Sequence, residues 1–256
     1  MQTEIVAVNH VDLIYQERAQ ETLAIQDLSF SVNEGEFVSI VGPSGCGKTT
    51  VLSLLTGLLP PTRGSVTLMG EPAGKQDTIG YMLQRDHLLD WRTVEENVML
   101  GLTVKHMLTP ERRAHALELL ERYGLLPFRS HYPRALSGGM RQKVALIRTL
   151  AFDPPLLLLD EPFSALDYQT RLQLADEVYA IIRREHKTAI LVTHDIAEAV
   201  SMSDRVFVFS DRPAHLKSEH VIEMHAEDSP LLRRNDARFA GYFNTIWREL
   251  TDHGSD

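Results

Sequence analysis

The chain has 256 residues, of which 43% are hydrophobic and 24% are charged, and its formal net charge is -9. This composition is typical of a globular protein, and the length suits one large domain or two small ones. The negative charge argues against a function based on binding the phosphate backbone of nucleic acids, which needs a basic surface. The single cysteine, Cys46, excludes an internal disulfide and fits a reducing compartment.

Neither a signal peptide nor a membrane span is expected. Residues 1–10, MQTEIVAVNH, lack a basic segment followed by an apolar one. No apolar run approaches the roughly 18–20 residues that are needed to cross a bilayer. If the protein works at a membrane, we expect it to do so through a partner.

The first third of the chain predicts strands around one early helix. Residues 4–15 and 23–32 alternate between apolar and polar side chains, as antiparallel strands do. Residues 37–42, FVSIVG, are a continuous apolar run that predicts a buried strand. A helix is expected over residues 48–57, stopped by Pro60 and Pro61. Short strands are expected at GSVTLMG and TIGYML.

The pattern turns helical from Thr93 to Ala151. Thr109 and Pro110 predict a helix start, Gly124 a stop, and Ser137 the cap of a helix that runs to about Ala151. Further buried strands are predicted at LLLLD, TAILVTH and RVFVFS, with a helix over residues 168–184 and a helical tail over 229–250. Buried strands that alternate with helices indicate an α/β fold with a mostly parallel sheet.

The segment GPSGCGKTT matches the phosphate-binding pattern G-x-x-x-x-G-K-[ST]. It follows a predicted strand and opens a predicted helix, which is the context that the pattern requires. The alternative is a glycine-rich turn without a ligand. The residues expected to surround a nucleotide's phosphates are Gly42, Pro43, Ser44, Gly45, Cys46, Gly47, Lys48, Thr49 and Thr50. Lys48 would reach the β and γ oxygens, and the Thr49 hydroxyl would be a ligand of Mg²⁺.

The segment LLLLDEP places Asp160 and Glu161 at the end of a predicted buried strand, at the sheet edge where open α/β sheets hold their ligands. Asp160 is a candidate for orienting Mg²⁺, and Glu161 is the candidate base for an attacking water. The alternative is an acidic cap for a following helix.

Three further side chains are candidates for the same site. His194 ends the predicted strand TAILVT and is suited to donate a hydrogen bond to the γ-phosphate, although a lone histidine is more often structural. Gln84 ends TIGYML and offers an amide for Mg²⁺ and water, or is simply a boundary residue. Tyr15 offers an aromatic face for stacking on adenine, or lies at the edge of the core.

A second glycine segment, ALSGGMRQ, spans residues 135–142. Ser137 is a natural helix cap, and Gly138 and Gly139 expose backbone N–H groups that suit an anion. The alternative is an ordinary capped helix start. The first glycine loop already surrounds the phosphates of its own nucleotide. If the second segment binds phosphate, it therefore best fits a nucleotide from elsewhere.

Taken in order, these motifs resemble the ATPase subunits of ATP-binding cassette (ABC) transporters. The resemblance rests on six features in this order: the P-loop GPSGCGKTT, Gln84, the signature segment LSGGMRQ, LLLLDEP, SALD (residues 164–167) and His194. It covers roughly residues 5–223. It implies a P-loop NTPase (RecA-like) core with an N-terminal antiparallel β-subdomain and an inserted helical subdomain. In a single domain of residues 1–256, residues 1–84 and 155–225 would form the core, 85–154 the helical subdomain and 226–256 a helical tail.

The resemblance also implies roles for single residues. Two copies would form a head-to-tail dimer, in which the signature of one copy closes over the ATP on the P-loop of the other. By this resemblance, Tyr15 stacks on adenine, Glu161 is the base, His194 the switch, Gln84 the Q-loop residue, Asp167 a contact across the dimer, and Ser137, Gly138, Gly139 and Gln142 the signature. The implied cofactors are ATP and Mg²⁺, with Thr49, Gln84 and Asp160 near the metal.

Within the family, QRDHLLDWRTVEENV and SDRPAHLKSEHVIEM are similar to importers of nitrate, sulfonates or taurine and to those of thiamine-precursor pyrimidines. This implies membrane-spanning permease subunits as partners, a substrate-binding protein as an indirect one, no nucleic acid, and a place at the cytoplasmic face of the membrane. A C-terminal β-domain of the sugar-importer type is not expected within 256 residues.

Three other functions compete with an importer ATPase. An exporter subunit is the strongest of them, because the catalytic motifs do not encode the direction of transport. A non-transport ABC ATPase would be expected to carry coiled coils, zinc cysteines or a basic cleft. A small-molecule P-loop kinase would leave LSGGMRQ and SALD unexplained.

The apolar segment HLLDW at residues 87–91 predicts a partner surface, or else packing within the helical insertion.

Overall fold

Two β-sheets form the framework of the protein. The computed structural model describes residues 3–17, 20–74, 79–224 and 229–251. The first sheet is antiparallel, with strand order β2-β1-β4-β5. Its strands are β1 (Glu4–Glu17), β2 (Gln20–Asn33), β4 (Arg63–Leu68) and β5 (Glu71–Pro72). The alternating segments at the start of the chain thus form the expected antiparallel strands.

The second sheet is mostly parallel, with strand order β10-β9-β3-β8-β7-β6. Its strands are β3 (Phe37–Val41), β6 (Ile79–Met82), β7 (Leu156–Asp160), β8 (Thr188–Val192), β9 (Arg205–Phe209) and β10 (Leu216–Val221). Only β10 runs antiparallel to its neighbour. The carboxyl ends of β3, β8 and β7 therefore lie side by side at one edge of the sheet.

The three central strands are buried on both faces, which explains their uninterrupted apolar sequences. Every residue of β3, β7 and β8 is buried. Successive side chains of β7 alternate between two cores: Leu157 and Leu159 join one cluster, and Leu156 and Leu158 join another. The first cluster includes the helices between β6 and β8. The second fills the space between the two sheets around the first helix.

Helices surround the parallel sheet. They are α1 (Lys48–Leu55), α2 (Val94–Val98), α3 (Leu100–Val104), α4 (Pro110–Arg122), α5 (Gly138–Leu150), α6 (Tyr168–Arg184), α7 (Ile196–Met202), α8 (Pro230–Arg233) and α9 (Phe239–Thr251). Thr109 caps α4 with Pro110 in its first turn, and Ser137 caps α5, as the sequence predicts. Among the described helices, none has both the length and the apolar character that crossing a membrane requires.

Several boundaries differ from the sequence predictions. Strand β6 ends at Met82, which forms the last pair with β7, so Gln84 lies beyond the strand rather than at its end. His194 likewise lies two residues beyond Val192, because the chain turns there into the cap of α7. Helix α1 ends at Leu55. The tail holds two helices, α8 and α9. Residues 226–228 and 252–256 of the predicted tail lie outside the described residues, as does Thr78 of TIGYML.

Gly80 is a packing constraint that the structure makes testable. A Cβ atom added there would lie 2.5 Å from Thr149 Cγ2 on α5 and 2.7 Å from Leu157 Cδ2 on β7. We expect Gly80→Ala to lower the free energy of unfolding by about 1–3 kcal/mol, because the neighbouring side chains must move. Urea unfolding followed by circular dichroism measures this.

The matched control is Gly241→Ala in α9, where an added Cβ meets nothing within 4 Å. Alanine should raise the stability there by up to about 1 kcal/mol, because it favours a helix over glycine. Equal stability of the two variants would contradict the packing of α5 on β6 and β7.

Candidate nucleotide site

The loop between β3 and α1 is shaped by glycines. Gly45 and Gly47 have φ angles of 78° and 122°, a region that favours glycine. A Cβ on Gly42 would lie 2.9 Å from Cys46 Sγ and 3.1 Å from Phe209 Cβ, so only glycine fits against β9. The loop therefore turns tightly enough to open a helix at Lys48 with its N–H groups at the end of the sheet.

Lys48 is held inside this loop. Its side chain is 7% exposed, and its Nζ donates to the carbonyl oxygens of Gly42 and Pro43, both at 2.8 Å. Cys46 is buried beside it, and burial raises the pKa of the Cys46 thiol. A buried protonated thiol is a poor redox sensor, which favours the interpretation of Cys46 as a small loop residue.

A cleft of about 250 Å³ opens above the loop. Its lining residues are Ser44, Gly45, Gly47, Lys48, Thr49, Thr50, Glu161 and Arg212. The cleft thus joins the glycine loop to the end of β7. Arg212, from the turn between β9 and β10, has no counterpart in the sequence predictions.

Asp160 occupies a nearly dry position at the end of β7. Burial raises the pKa of its carboxyl group, and the neighbouring Glu161 carboxylate raises it further. The Tyr81 hydroxyl donates to Asp160 Oδ2 at 3.4 Å, and burial raises the pKa of Tyr81 to about 12. The Thr49 hydroxyl also interacts with this carboxylate. Thr49 and Asp160, both expected near a metal, are therefore adjacent, and Tyr81 is a partner that sequence reasoning missed.

Glu161 lies between two of the other candidates. His194 Nδ1 is 3.2 Å from Glu161 Oε2, and Gln84 Nε2 donates to the same oxygen at 3.3 Å. Gln84 also donates to Ser164 Oγ at 3.4 Å, and that hydroxyl donates to the Glu161 carbonyl at 3.0 Å. Three residues that are distant in sequence therefore meet around one carboxylate oxygen.

The backbone of Glu161 is strained. Its φ angle of 45° lies in the left-handed region, which is unfavourable for a residue with a Cβ atom. Two backbone hydrogen bonds hold it: Glu161 N–H donates to the Val192 carbonyl at 2.8 Å, and Ser164 N–H donates to the Glu161 carbonyl at 3.2 Å. Strain retained in this way is common at functional sites.

Hydrogen bonds of Thr193 hold the segment that carries His194. The Thr193 hydroxyl donates to buried Glu198 Oε2 at 2.8 Å and accepts from Asp195 N–H at 3.0 Å. Burial raises the pKa of Glu198, while the hydrogen bond from Thr193 opposes the rise. These contacts set the turn on which His194 stands, while its own side chain stays exposed.

Tyr15 lies on the antiparallel sheet next to α1. Its hydroxyl is 3.3 Å from Thr50 Oγ1, and its half-buried ring packs on the core between the sheets. This position places an aromatic side chain next to the last residue of the loop motif. Stacking on adenine remains a prediction.

The second glycine segment is absent from the lining of this cleft, so far as the described residues show. Ser137 caps α5 by accepting from Met140 N–H at 3.3 Å. A Cβ on Gly138 would lie 3.1 Å from Leu166 Cδ2, and one on Gly139 would lie 3.4 Å from Thr170 Cγ2. The segment therefore lies against the turn that holds Asp167, which caps α6 and accepts from Thr170 N–H at 3.1 Å.

Gln142 has a buried side chain. Its side chain is 4% exposed, and its Oε1 has no hydrogen-bond partner in the described structure. It lies on the inner face of α5 with Ala145, Leu146 and Thr149, which share its helical spacing. Gln142 is thus turned inward, unlike exposed Ser137, and its place in the signature stays a prediction.

Comparison with known protein families identifies this arrangement. The family model described as "ABC transporter" matches residues 25–164, more than half of the chain. The chain belongs to the ABC transporter family. It is an ATP-binding ATPase subunit of that family, with a P-loop NTPase fold, as the motifs predict.

The relatives are consistent with this assignment. An uncharacterised ABC transporter ATP-binding protein of Bacillus subtilis, YtlC, is 49% identical over 95% of this chain and 94% of its own length. An uncharacterised ABC transporter ATP-binding protein of Methanocaldococcus jannaschii is 44% identical over 96% of this chain and 91% of its own length. The taurine import ATP-binding protein TauB of Yersinia pestis is 44% identical over 75% of this chain and 76% of its own length.

Solved ABC cassettes share the fold. A dimeric structure of the bacterial ABC transporter cassette MJ0796 is 32% identical, with a TM-score of 0.73 over 86% of this chain and all of that chain. A dimeric post-hydrolysis state of the same cassette, bound to ADP and Pi, is 31% identical, with a TM-score of 0.72 over the same shares.

Proposed function

We propose that this ABC subunit hydrolyses ATP to drive a membrane importer of a small anion or organic solute, of the nitrate, sulfonate, taurine or thiamine-precursor type. The observation that carries the hydrolytic role is the Glu161 carboxylate, held between His194 and Gln84 at the edge of the Lys48 cleft. The similarity to a taurine import protein supports import over export. Export remains the second candidate, since these contacts do not depend on the direction of transport.

In the proposed reaction, Glu161 accepts a proton from the attacking water. His194 and Gln84 keep its carboxylate in place by binding one of its oxygens, which leaves the other for the water. The glycine loop and Lys48 bind the phosphates and stabilise the negative charge that develops on them. His194 is in reach of the same region and can donate to a phosphate oxygen.

The residues near the loop fit Mg²⁺. No cluster of three or more His, Cys, Asp or Glu side chains in the described part of the chain could hold a metal alone. Mg²⁺ in nucleotide sites needs few protein ligands, because phosphates and water supply the rest. The Thr49 hydroxyl, the Asp160 carboxylate and the Gln84 amide offer the oxygen ligands that it prefers. When bound, Mg²⁺ would neutralise phosphate charge, and it would stabilise the ionised form of Asp160 against its burial.

The second glycine segment suits a site shared between two copies. Ser137 is exposed and is not among the residues that line the cleft of its own chain. The next residue, Gly138, lies against Leu166, which directly precedes Asp167, the expected contact across the dimer. The cassettes of similar fold are dimeric. We therefore propose a head-to-tail dimer in which Ser137, Gly138 and Gly139 close over the nucleotide of the partner copy.

The loop after Gln84 presents one aromatic side chain to solvent. Trp91 is 73% exposed, whereas Leu88 of the same segment is buried in the core. Asn97, fully buried, holds the loop by accepting from Leu89 N–H at 2.7 Å and donating to the carbonyls of Leu89 and Arg92, both at 3.1 Å. An exposed tryptophan between Leu89 and Arg92, which Asn97 holds, suits a contact with a membrane-spanning permease. Such a contact would place the subunit at the cytoplasmic face of the membrane.

Glu161→Gln tests the proposed base. We expect kcat to fall at least about 100-fold, because the proton acceptor is lost, while ATP still binds through Lys48 and the loop. The variant should accumulate as an ATP-bound dimer in size-exclusion chromatography with Mg²⁺ and ATP. Lys48→Ala is the control that should lose both nucleotide binding and the dimer. Normal turnover by Glu161→Gln, or a monomer at saturating ATP, would show that Glu161 is not the base.

Trp91→Ala tests the partner surface. Removing a central aromatic contact should lower the fraction of tagged protein bound to membranes of the source organism by about tenfold or more. Basal ATPase activity and melting temperature should stay unchanged, because the side chain is exposed. Trp247→Ala is the matched control, since Trp247 on α9 is 54% exposed. An equal effect of both substitutions, or none from Trp91→Ala, would place the permease contact elsewhere.

A further inference from the structure

The turn between β9 and β10, residues 210–215, is built against the glycine loop. Ala214 is fully buried and pairs with β2: its N–H donates to the Ala24 carbonyl at 2.9 Å, and its carbonyl accepts from Gln26 N–H at 3.0 Å. A Cβ on Gly47 would lie 3.5 Å from Ala214 Cβ. The turn therefore packs directly beside the residue that precedes Lys48.

The conformation of this turn is set by its own hydrogen bonds. Ser210 N–H donates to the His215 carbonyl at 3.1 Å, and Ser210 Oγ accepts from His215 N–H at 3.0 Å. Together with the pairing of Ala214, these contacts fix the turn that carries Arg212, which lines the same cleft as Lys48 and Glu161.

Arg212 is a cation without a protein partner. It is exposed, and it makes no hydrogen bond or ion pair with any residue in the described ranges. By contrast, Arg205 is paired with Glu36 and Arg183 with Asp204. The other cation that lines the cleft, Lys48, is engaged by two loop carbonyls. The guanidinium of Arg212 is therefore the free positive group at this cleft within the described structure.

A free cation at this cleft matches the negative charge of a bound nucleotide. A nucleoside triphosphate brings several negative charges to a site that already holds the carboxylates of Asp160 and Glu161. Arginine offers five donors in a planar fork that matches phosphate oxygens, and it stays charged at every physiological pH. An exposed arginine on an anchored turn can reach the phosphates without losing an existing ion pair.

We propose that Arg212 is a second phosphate-binding cation, which clamps the nucleotide held by the glycine loop of the same chain. The proposal rests on the proposed nucleotide site and adds to it a residue outside the motifs that define that site. Arg212 binds the phosphates of ATP and ADP alike, so it contributes to affinity rather than to the chemical step.

The test compares nucleotide binding by the full-length chain and its variants. For Arg212→Ala we expect the Kd for ADP, measured by calorimetry, and the KM for ATP each to rise about tenfold, as loss of a charge-assisted hydrogen bond at an exposed site implies. The kcat should stay within about twofold of its original value. Arg212→Lys should keep part of the affinity, because it keeps the charge but loses the fork. Since phosphate binding by a free cation weakens with salt, the Kd of Arg212→Ala should depend less on KCl concentration than that of the unchanged chain.

Arg184→Ala is the matched control for net charge. Arg184 is an exposed arginine at the end of α6, and the chain enters β8 four residues later, at the opposite edge of the sheet. Its Kd and KM should not change. Equal effects of Arg184→Ala and Arg212→Ala would overturn the proposal, because net charge alone would then explain them.

Two further comparisons separate a loss of folding from a loss of the clamp, and the clamp from the nucleotide site itself. If Arg212→Ala lowers the melting temperature, Arg212→Gln and Arg212→Lys carry the test: a folded Arg212→Gln with unchanged Kd for ADP overturns the proposal. Lys48→Ala separates this proposal from the site itself. Weak ADP binding by Lys48→Ala together with normal binding by every Arg212 variant refutes the clamp and leaves the site standing. Normal binding by both Lys48→Ala and Arg212→Ala refutes both.

Discussion

The parallel pairing of β3, β8 and β7 is the constraint on which the site depends. Ile40 pairs with Val192, and Val192 with Asp160, so the three strands end at the same level. As a result, three segments are neighbours: the glycine loop after β3, the turn at Thr193 after β8, and residues Asp160 and Glu161 at the end of β7. A shift of one strand by a single residue would turn its side chains to the other face and separate Glu161 from His194.

Sequence reasoning recovers this edge because its signals are local and strong. Five-residue apolar runs predict strands buried on both faces, and the polar residues that follow them predict ligands at the carboxyl edge. For this reason the sequence predicts the P-loop residues and Glu161 directly after their strands, as the structure has them, whereas His194 lies two residues beyond its strand. The meeting of Gln84 and His194 at one Glu161 oxygen depends on the strand order, which a single sequence does not encode locally.

Other features of the structure could not be predicted from the sequence motifs, for physical reasons. Gln142 belongs to a sequence motif, but its helical spacing from Ala145, Leu146 and Thr149 places it on the inner face of α5. The spacing was present in the sequence and was outweighed by the motif. Arg212 gave no local signal, because its place at the cleft comes from Ala214 pairing with β2, a contact across almost 190 residues. The sequence predicts a helical tail but not the break between α8 and α9, because residues 234–238 contain no strong helix breaker.

The central claim is that the two glycine segments serve nucleotides on different copies of the chain. It is tested most directly by mixing two differently tagged chains, one carrying Ser44→Cys and the other Ser137→Cys, both with Cys46→Ser and Glu161→Gln, and adding a short thiol crosslinker. The shared site predicts a crosslinked product that joins the two tags and forms only with ATP, because nucleotide brings the P-loop of one copy under the signature of the other. No product between the tags at saturating ATP, with both cysteines shown to be reactive, would contradict the account.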